Sequence, residues 1–187
     1  MFRHALIAVL LLWPLRPGIG AEPGKLFGID ATVAETAFAA CERLPDGDFK
    51  CRHMPRTHPE FNTYFVTTVE GRMCRVVATG YAIKDSGRGT VIKALLEKTR
   101  GEIEPRYGSA RIFGNLKNRN FFRRWLFFME ELYGVNGFGT TYGWEWVFPP
   151  NGGADGVQRI VLEIDARGPD AAELVVTINY ANAGCAE

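Results

Sequence analysis

The chain is short of the residues that usually announce chemistry or a membrane. It has three histidines, four cysteines and four methionines among 187 residues. Past residue 20, no apolar run approaches the ~18 residues that a membrane-spanning helix needs. Charge of one sign is missing as well. Twenty-two lysines and arginines face 21 aspartates and glutamates, so no overall field draws the protein to nucleic acid or to anionic lipid. Phosphate signatures are absent too. Gly87-Arg88-Gly89-Thr90 lies between an expected strand and an expected helix, where free N–H groups attract anions. It lacks the Gly-Lys-Ser/Thr ending of a phosphate loop and the third glycine of a dinucleotide loop, so it reads as a tight turn. Gly137-Phe138-Gly139 follows a helix rather than a strand and fails on context. No internal repeat, low-complexity tract or linker divides the chain.

What is present begins with an export signal. Residues 1–20 read as a secretory signal peptide: Arg3 and His4 open it, Ala5 to Trp13 form its apolar stretch, and Gly18-Ile19-Gly20 is a small-x-small cleavage site. No cysteine follows to carry a lipid. Residues 21–187 are then expected to form a single exported domain with enough chain for a sizeable core. In an exported chain an even cysteine count favours disulfides. Four cysteines allow three pairings, of which Cys41 with Cys51 and Cys74 with Cys185 is the one favoured here.

The most apolar later stretch is Asn120 to Tyr133. At 100° per residue, Phe121, Phe122, Trp125, Leu126, Phe128, Met129, Leu132 and Tyr133 share one face, and Arg123, Arg124, Glu130 and Glu131 share the other. That is a helix with a wide buried side. Phe127 is the large apolar residue left among the charges. It is therefore the candidate anchor of a binding surface, with Arg123, Arg124, Glu130 and Glu131 as its polar rim.

The other elements follow from spacing and punctuation. Leu26 to Ile29 reads as a short edge strand. Thr32-Val33-Ala34-Glu35 reads as a capping box opening a helix that ends at Pro45-Asp46-Gly47. Residues 45–59, with three prolines and no period, read as a surface loop. Phe61 to Val69 and Arg72 to Ile83 flank Glu70-Gly71 as a β-hairpin. A second helix runs from Thr90 to a stop before Pro105, and a loop covers Tyr107 to Lys117. Thr141 to Phe148, Gln158 to Ala166 and Ala172 to Ala181 close the chain as strands. The expected fold is α+β: an antiparallel sheet of about five strands with two to three helices packed on one face.

Three constellations could carry chemistry. Cys51, His53, Met54 and His58, with Asp46 and Asp48 nearby, supply soft and borderline metal donors. They match no closed zinc spacing, and oxidation of Cys51 would remove its sulfur from the set. Tyr142, Trp144, Trp146 and Phe148 alternate along one strand and form an aromatic row, either core or a sugar-stacking face. Glu145 faces the other way and, depending on strand order, shares the wet face with Glu163, Asp165 or Glu173; two carboxylates near each other there could serve a hydrolase or simply pair with Arg159 and Arg167.

No nucleophile, base and orienting group can be argued together. The functional expectation is a non-enzymatic periplasmic or secreted binding protein, of an inhibitor, immunity-type or envelope accessory kind. Its partner would be another envelope or secreted protein, and no catalytic residue, cofactor, metal or nucleic acid is called for. The rivals are a carbohydrate or peptidoglycan binder using the row from Tyr142 to Phe148 and a hydrolase using the acidic sheet face.

Overall fold

A computed structural model describes residues 24–114, 128–133 and 141–185. It contains one nine-stranded antiparallel sheet. The strands are β1 (Glu42–Arg43), β2 (Phe49–Cys51), β3 (Phe61–Val69), β4 (Arg72–Gly80), β5 (Ile83–Lys84), β6 (Arg111–Gly114), β7 (Tyr142–Val147), β8 (Val157–Gly168) and β9 (Ala171–Tyr180). One long helix, α1 (Thr90–Tyr107), and one short helix, α2 (Phe128–Tyr133), accompany them. The expectation of about five strands with two to three helices is thus overturned. The surplus strands are short ones that carry too little periodicity to be seen.

The order across the sheet is β1-β2-β3-β4-β9-β8-β7-β6, with β5 pairing the end of β9. The last strand in sequence is therefore a central strand. It joins the hairpin β3–β4 to the group β6–β8, and Cys185 just beyond it is bonded to Cys74 on β4. Cys41 is bonded to Cys51. Both favoured pairings are present, closing sequence separations of 10 and 111 residues. In the loop-entropy account such closures contribute about 3 and about 5 kcal/mol.

Local chemistry explains the hairpin. Glu70 (φ 51) and Gly71 (φ 75) both take the left-handed conformation, which a two-residue connection needs if its twist is to match that of the strands. Alternation does the rest. Tyr64, Val66, Val76, Ala78, Ile160, Leu162, Leu174, Val176 and Ile178 are at most 1% exposed and line one face. Helix α1 buries Ile92, Leu96, Thr99, Ile103 and Tyr107, a stripe at three- and four-residue spacing, and packs on β7, β8 and β9. On the β2–β4 side the same core is completed by Phe27, Ile29, Phe38 and Met54. No described element lies over the opposite face of the sheet.

Several local expectations change. Leu26–Gly28 is a 3-10 turn, not a strand. Thr32 does not open a helix: its N–H and hydroxyl both donate to Asp30 Oδ1, and Ala34 bridges to Arg72, so only the 3-10 turn Glu35–Phe38 follows. The stretch read as loop after Pro45 contains β2, whose Phe49 and Cys51 are buried. Residues Arg111–Gly114, read as loop, form β6 against β7. Helix α1 runs through Pro105 to Tyr107. Its N-terminal cap comes from Asp85, whose Oδ2 accepts the Ile92 N–H at 2.8 Å, rather than from Thr90. In α2, Phe128, Met129 and Leu132 are buried, as the aromatic-helix pattern requires, whereas Tyr133 is 36% exposed. The Met129 N–H donates to Gly87 O, and Lys93 Nζ sits 3.6 Å above the Phe128 ring. The Gly87–Thr90 turn thus seats α2.

Candidate functional site

The predicted contact residues Phe127, Arg123 and Arg124 lie outside the described residues. So do the side chains of Glu130 and Glu131, although their backbone is part of α2. The aromatic row lies on the helix-covered side. Trp146 is 2% exposed and donates its indole N–H to Gly108 O at 2.7 Å. Trp144 lies under the Arg100 guanidinium, 4.2 Å from its ring, and donates to Glu97. Tyr142 meets Phe128 edge-on, and Phe148 meets Tyr107. The row is built into the contact between the sheet and its helices.

Register sets Glu145 apart from the other carboxylates of the opposite face and brings Asp165 and Glu173 together. Glu145 stands opposite Val161, and Asp165 opposite Glu173. Glu145 is buried and accepts from Arg111 (2.7 Å) and Arg159 (2.6 Å). Burial alone would push its carboxyl up, but hydrogen bonds from the two arginines outweigh it and hold the carboxyl below the ordinary range. Arg167 bridges Asp165 (3.0 Å) and Glu173 (2.5 Å). Among the described residues no arginine forms an ion pair with Glu163, and burial, then Asp165, pushes its carboxyl up. Among the described residues no three His, Cys, Asp or Glu side chains stand together as a metal site, and Cys51 is spent in its disulfide.

Three distant segments converge on a cleft of about 340 Å³. Lys25 to Phe27 come from the first 3-10 turn, Arg56 to Pro59 from the loop after β2, and Glu102 and Ile103 from the last turns of α1. Phe27 has φ 56 and Gly28 φ 74, a reversal that drives the Phe27 ring into the core against Phe61 and Tyr64. The Arg56 N–H donates to Phe27 O at 3.0 Å and ties the loop to the turn. Glycine is required beside it. At Gly28, whose φ of 74 is left-handed, an added Cβ would stand 2.9 Å from the backbone N of Arg56.

Most charges around this cleft are neutralised. His58 Nε2 is 2.7 Å from Glu102, and its Nδ1 accepts from the Glu60 N–H at 3.3 Å. The ring therefore carries its proton on Nε2 and donates it to Glu102. Lys98 pairs with Glu60, and the hydrogen bond to Glu60 raises its pKa. Lys25 pairs with Asp30, whose carboxyl is pulled down to about 2, chiefly by that hydrogen bond and then by Thr32. Beneath them Tyr107 donates to Asp155 at 2.8 Å and accepts weakly from the Leu26 N–H.

The loop above is different. Lys50, Arg52, His53 and Arg56 are exposed, residues 49–59 include no aspartate or glutamate, and among the described residues no ion pair reaches any of the four. In the sequence this run reads as a set of metal donors. The signal that points to the loop instead is its lack of acid. No family model matches the chain, and no curated protein or solved structure is significantly similar to it.

Proposed function

We propose that the protein is an exported, non-enzymatic binding protein that takes an acidic segment of another envelope or secreted protein at the basic loop 50–58 and the cleft beneath it. One observation carries this reading: Lys50, Arg52, His53 and Arg56 are exposed and stand in no ion pair among the described residues, with Glu42, across the strand from Lys50, the one acid that register places beside them, whereas the charges around the cleft itself are largely paired. The loop is anchored at Cys51 by a disulfide and at Arg56 by its bond to Phe27 O, so little order has to be imposed on binding. The cleft offers an apolar floor in Phe27 and Ile103, both 2% exposed, which fits an apolar side chain flanked by carboxylates. Two disulfides suit an oxidising compartment, and among the described residues no helix is long and apolar enough to cross a membrane.

A labelled peptide of alternating aspartate and leucine, titrated with the oxidised protein, tests the reading. Binding should weaken steeply with salt, and Arg52→Glu with Arg56→Glu should weaken it at least tenfold, because electrostatic complementarity is being reversed. Equal affinity for a lysine–leucine peptide, or indifference to the charge reversals, would overturn it.

A further inference from the structure

We infer that the sheet face over which no described element lies is a self-association surface, and that two copies of this chain pack face to face through it. The register places the side chains of this face in rows across the strands. Phe65, Val77, Thr177 and Val161 are paired neighbours in one row, and Thr63, Thr79, Val175 and Glu163 in the next. These two rows form a strip made mostly of β-branched and aromatic side chains, each at most partly exposed. Beyond it at one end lie Arg75, Asn179 and Arg159 in register, with Val147 beside them 56% exposed. At the other end Asp165 faces Glu173, with Arg167 between them. Arginines thus mark one end of the apolar strip and carboxylates the other. Two carboxylates are exceptions at the arginine end: Asp48, which accepts from Thr67 Oγ1 and stands at its far edge, and Glu145, which lies buried beside Val161 and is already bonded to Arg159 and Arg111, so that Arg75 is the arginine there outside that cluster.

Stacked sheets keep their strands aligned to within about 30°, which leaves two choices for a two-fold axis in the plane of contact. An axis along the strands stacks each row on itself, arginine on arginine and carboxylate on carboxylate. An axis across the strands turns one copy end for end. Arg159 then faces Asp165 of the second copy, Arg75 meets the end that carries Glu173, and the apolar strip covers itself. Charge selects the second arrangement, and the isologous contact closes at two copies.

The area suffices. Five strands, β3, β4, β9, β8 and β7, at ~4.8 Å spacing and about seven residues of length, give roughly 600 Å² of flat face per copy. Two copies reach the lower end of the ~1,200–2,000 Å² buried in stable interfaces.

Sedimentation of the oxidised chain at about 100 μM should give the mass of a dimer. Arg75→Glu and Asp165→Lys change side chains at the surface and should leave the melting temperature within a few degrees of wild type. Each alone should weaken the dimer at least tenfold. An equimolar mixture of the two variants should dimerise again, since the mixed pair keeps one native set of contacts and, in the other, brings the two introduced charges, opposite in sign, to the same end of the face with only β9 between their strands. A wild type that is monomeric at this concentration, variants that stay dimeric, or a mixture that stays monomeric would each overturn the assignment. The mixing arm separates a lost interface from a damaged fold, because damage in each chain is not repaired by the other.

Discussion

Arg106 holds Asp155 with both arms of its guanidinium, Nε to Oδ2 and Nη2 to Oδ1, each at 2.6 Å. The pair joins the last turn of α1 to the 3-10 turn Ala154–Gly156 that leads into β8, and Tyr107 adds its hydroxyl to the same carboxylate. Asp155 takes φ 61 to reach them, and its side chain is 5% exposed. Its carboxyl is held below the ordinary range, first by the Arg106 hydrogen bond. This is a structural clamp at the base of the cleft.

The clamp makes a stability prediction. Arg106→Ala strands a buried carboxylate and should cost about 2 to 5 kcal/mol in a urea melt. Adding Asp155→Asn should recover part of that loss, because no unpaired charge then remains. A double variant worse than the single one would show that Arg106 acts through packing alone.

The aromatic row predicts unequal losses. Trp146→Ala removes a fully buried ring and its bond to Gly108, and should cost about 3 to 5 kcal/mol. Trp144→Ala should cost less, since its ring is only partly buried beneath Arg100. Denaturant midpoints at constant slope decide it, and a larger loss at Trp144 would reverse the assignment.

How much of this is legible in the sequence depends on range. The β3–β4 hairpin is legible because Glu70-Gly71 and two alternating strands lie side by side in sequence. The row from Tyr142 to Phe148 is legible as a row for the same reason. The insertion of β9 between β4 and β8 is not, because Ala78 meets Val176 across much of the chain and no local signal encodes that pairing. The helix expected from Thr32 fails locally: Asp30 competes for Thr32, and the bridge from Ala34 to Arg72 keeps the backbone extended. Strands of two to four residues, such as β1 and β6, are shorter than the window in which a period can be recognised. The cleft needs residues 25–27, 56–58 and 102–103 together, which spacing alone does not assemble.

Thr99 gives a test of the helix–sheet contact. It is fully buried in α1, and its Oγ1 has no hydrogen-bond partner among the described residues. Replacing an unsatisfied hydroxyl by a methyl of the same shape removes a desolvation cost. Thr99→Val should therefore raise the unfolding free energy by up to about 1 kcal/mol. A loss of that size would show that the hydroxyl is bonded in solution.

Acid should destabilise the protein through Asp30 and Asp155. Both carboxyls titrate lower in the fold than in the open chain, Asp30 at about 2 against 3.8. Their contribution is therefore complete above about pH 4 and is lost as pH falls through the lowered folded values, for Asp30 about 2. Melting temperatures should drop as the buffer is taken from about pH 5 to about pH 2, and Asp30→Asn should make that drop shallower. An unchanged slope would assign the acid sensitivity to other groups.

Glu163 runs the opposite way. Burial, then the neighbouring Asp165, raises its carboxyl above the ordinary value of 4.5, so the fold favours the protonated form. The sign follows from linkage: its contribution is complete below about pH 4 and is lost as pH rises through the raised folded value. At neutral pH the ionised Glu163 is therefore a cost: it stands between Val175 and Gly143 in the register, and the nearby Arg159 offsets burial and Asp165 only in part. Glu163→Gln keeps the shape without the charge and should melt higher than wild type at about pH 7, with the advantage fading toward about pH 4. If the gain persists in acid, it comes from hydrogen bonding rather than charge. If the variant is less stable at neutral pH, the carboxylate has a cationic partner in solution, and the acidic end of the sheet face is better compensated than its register implies.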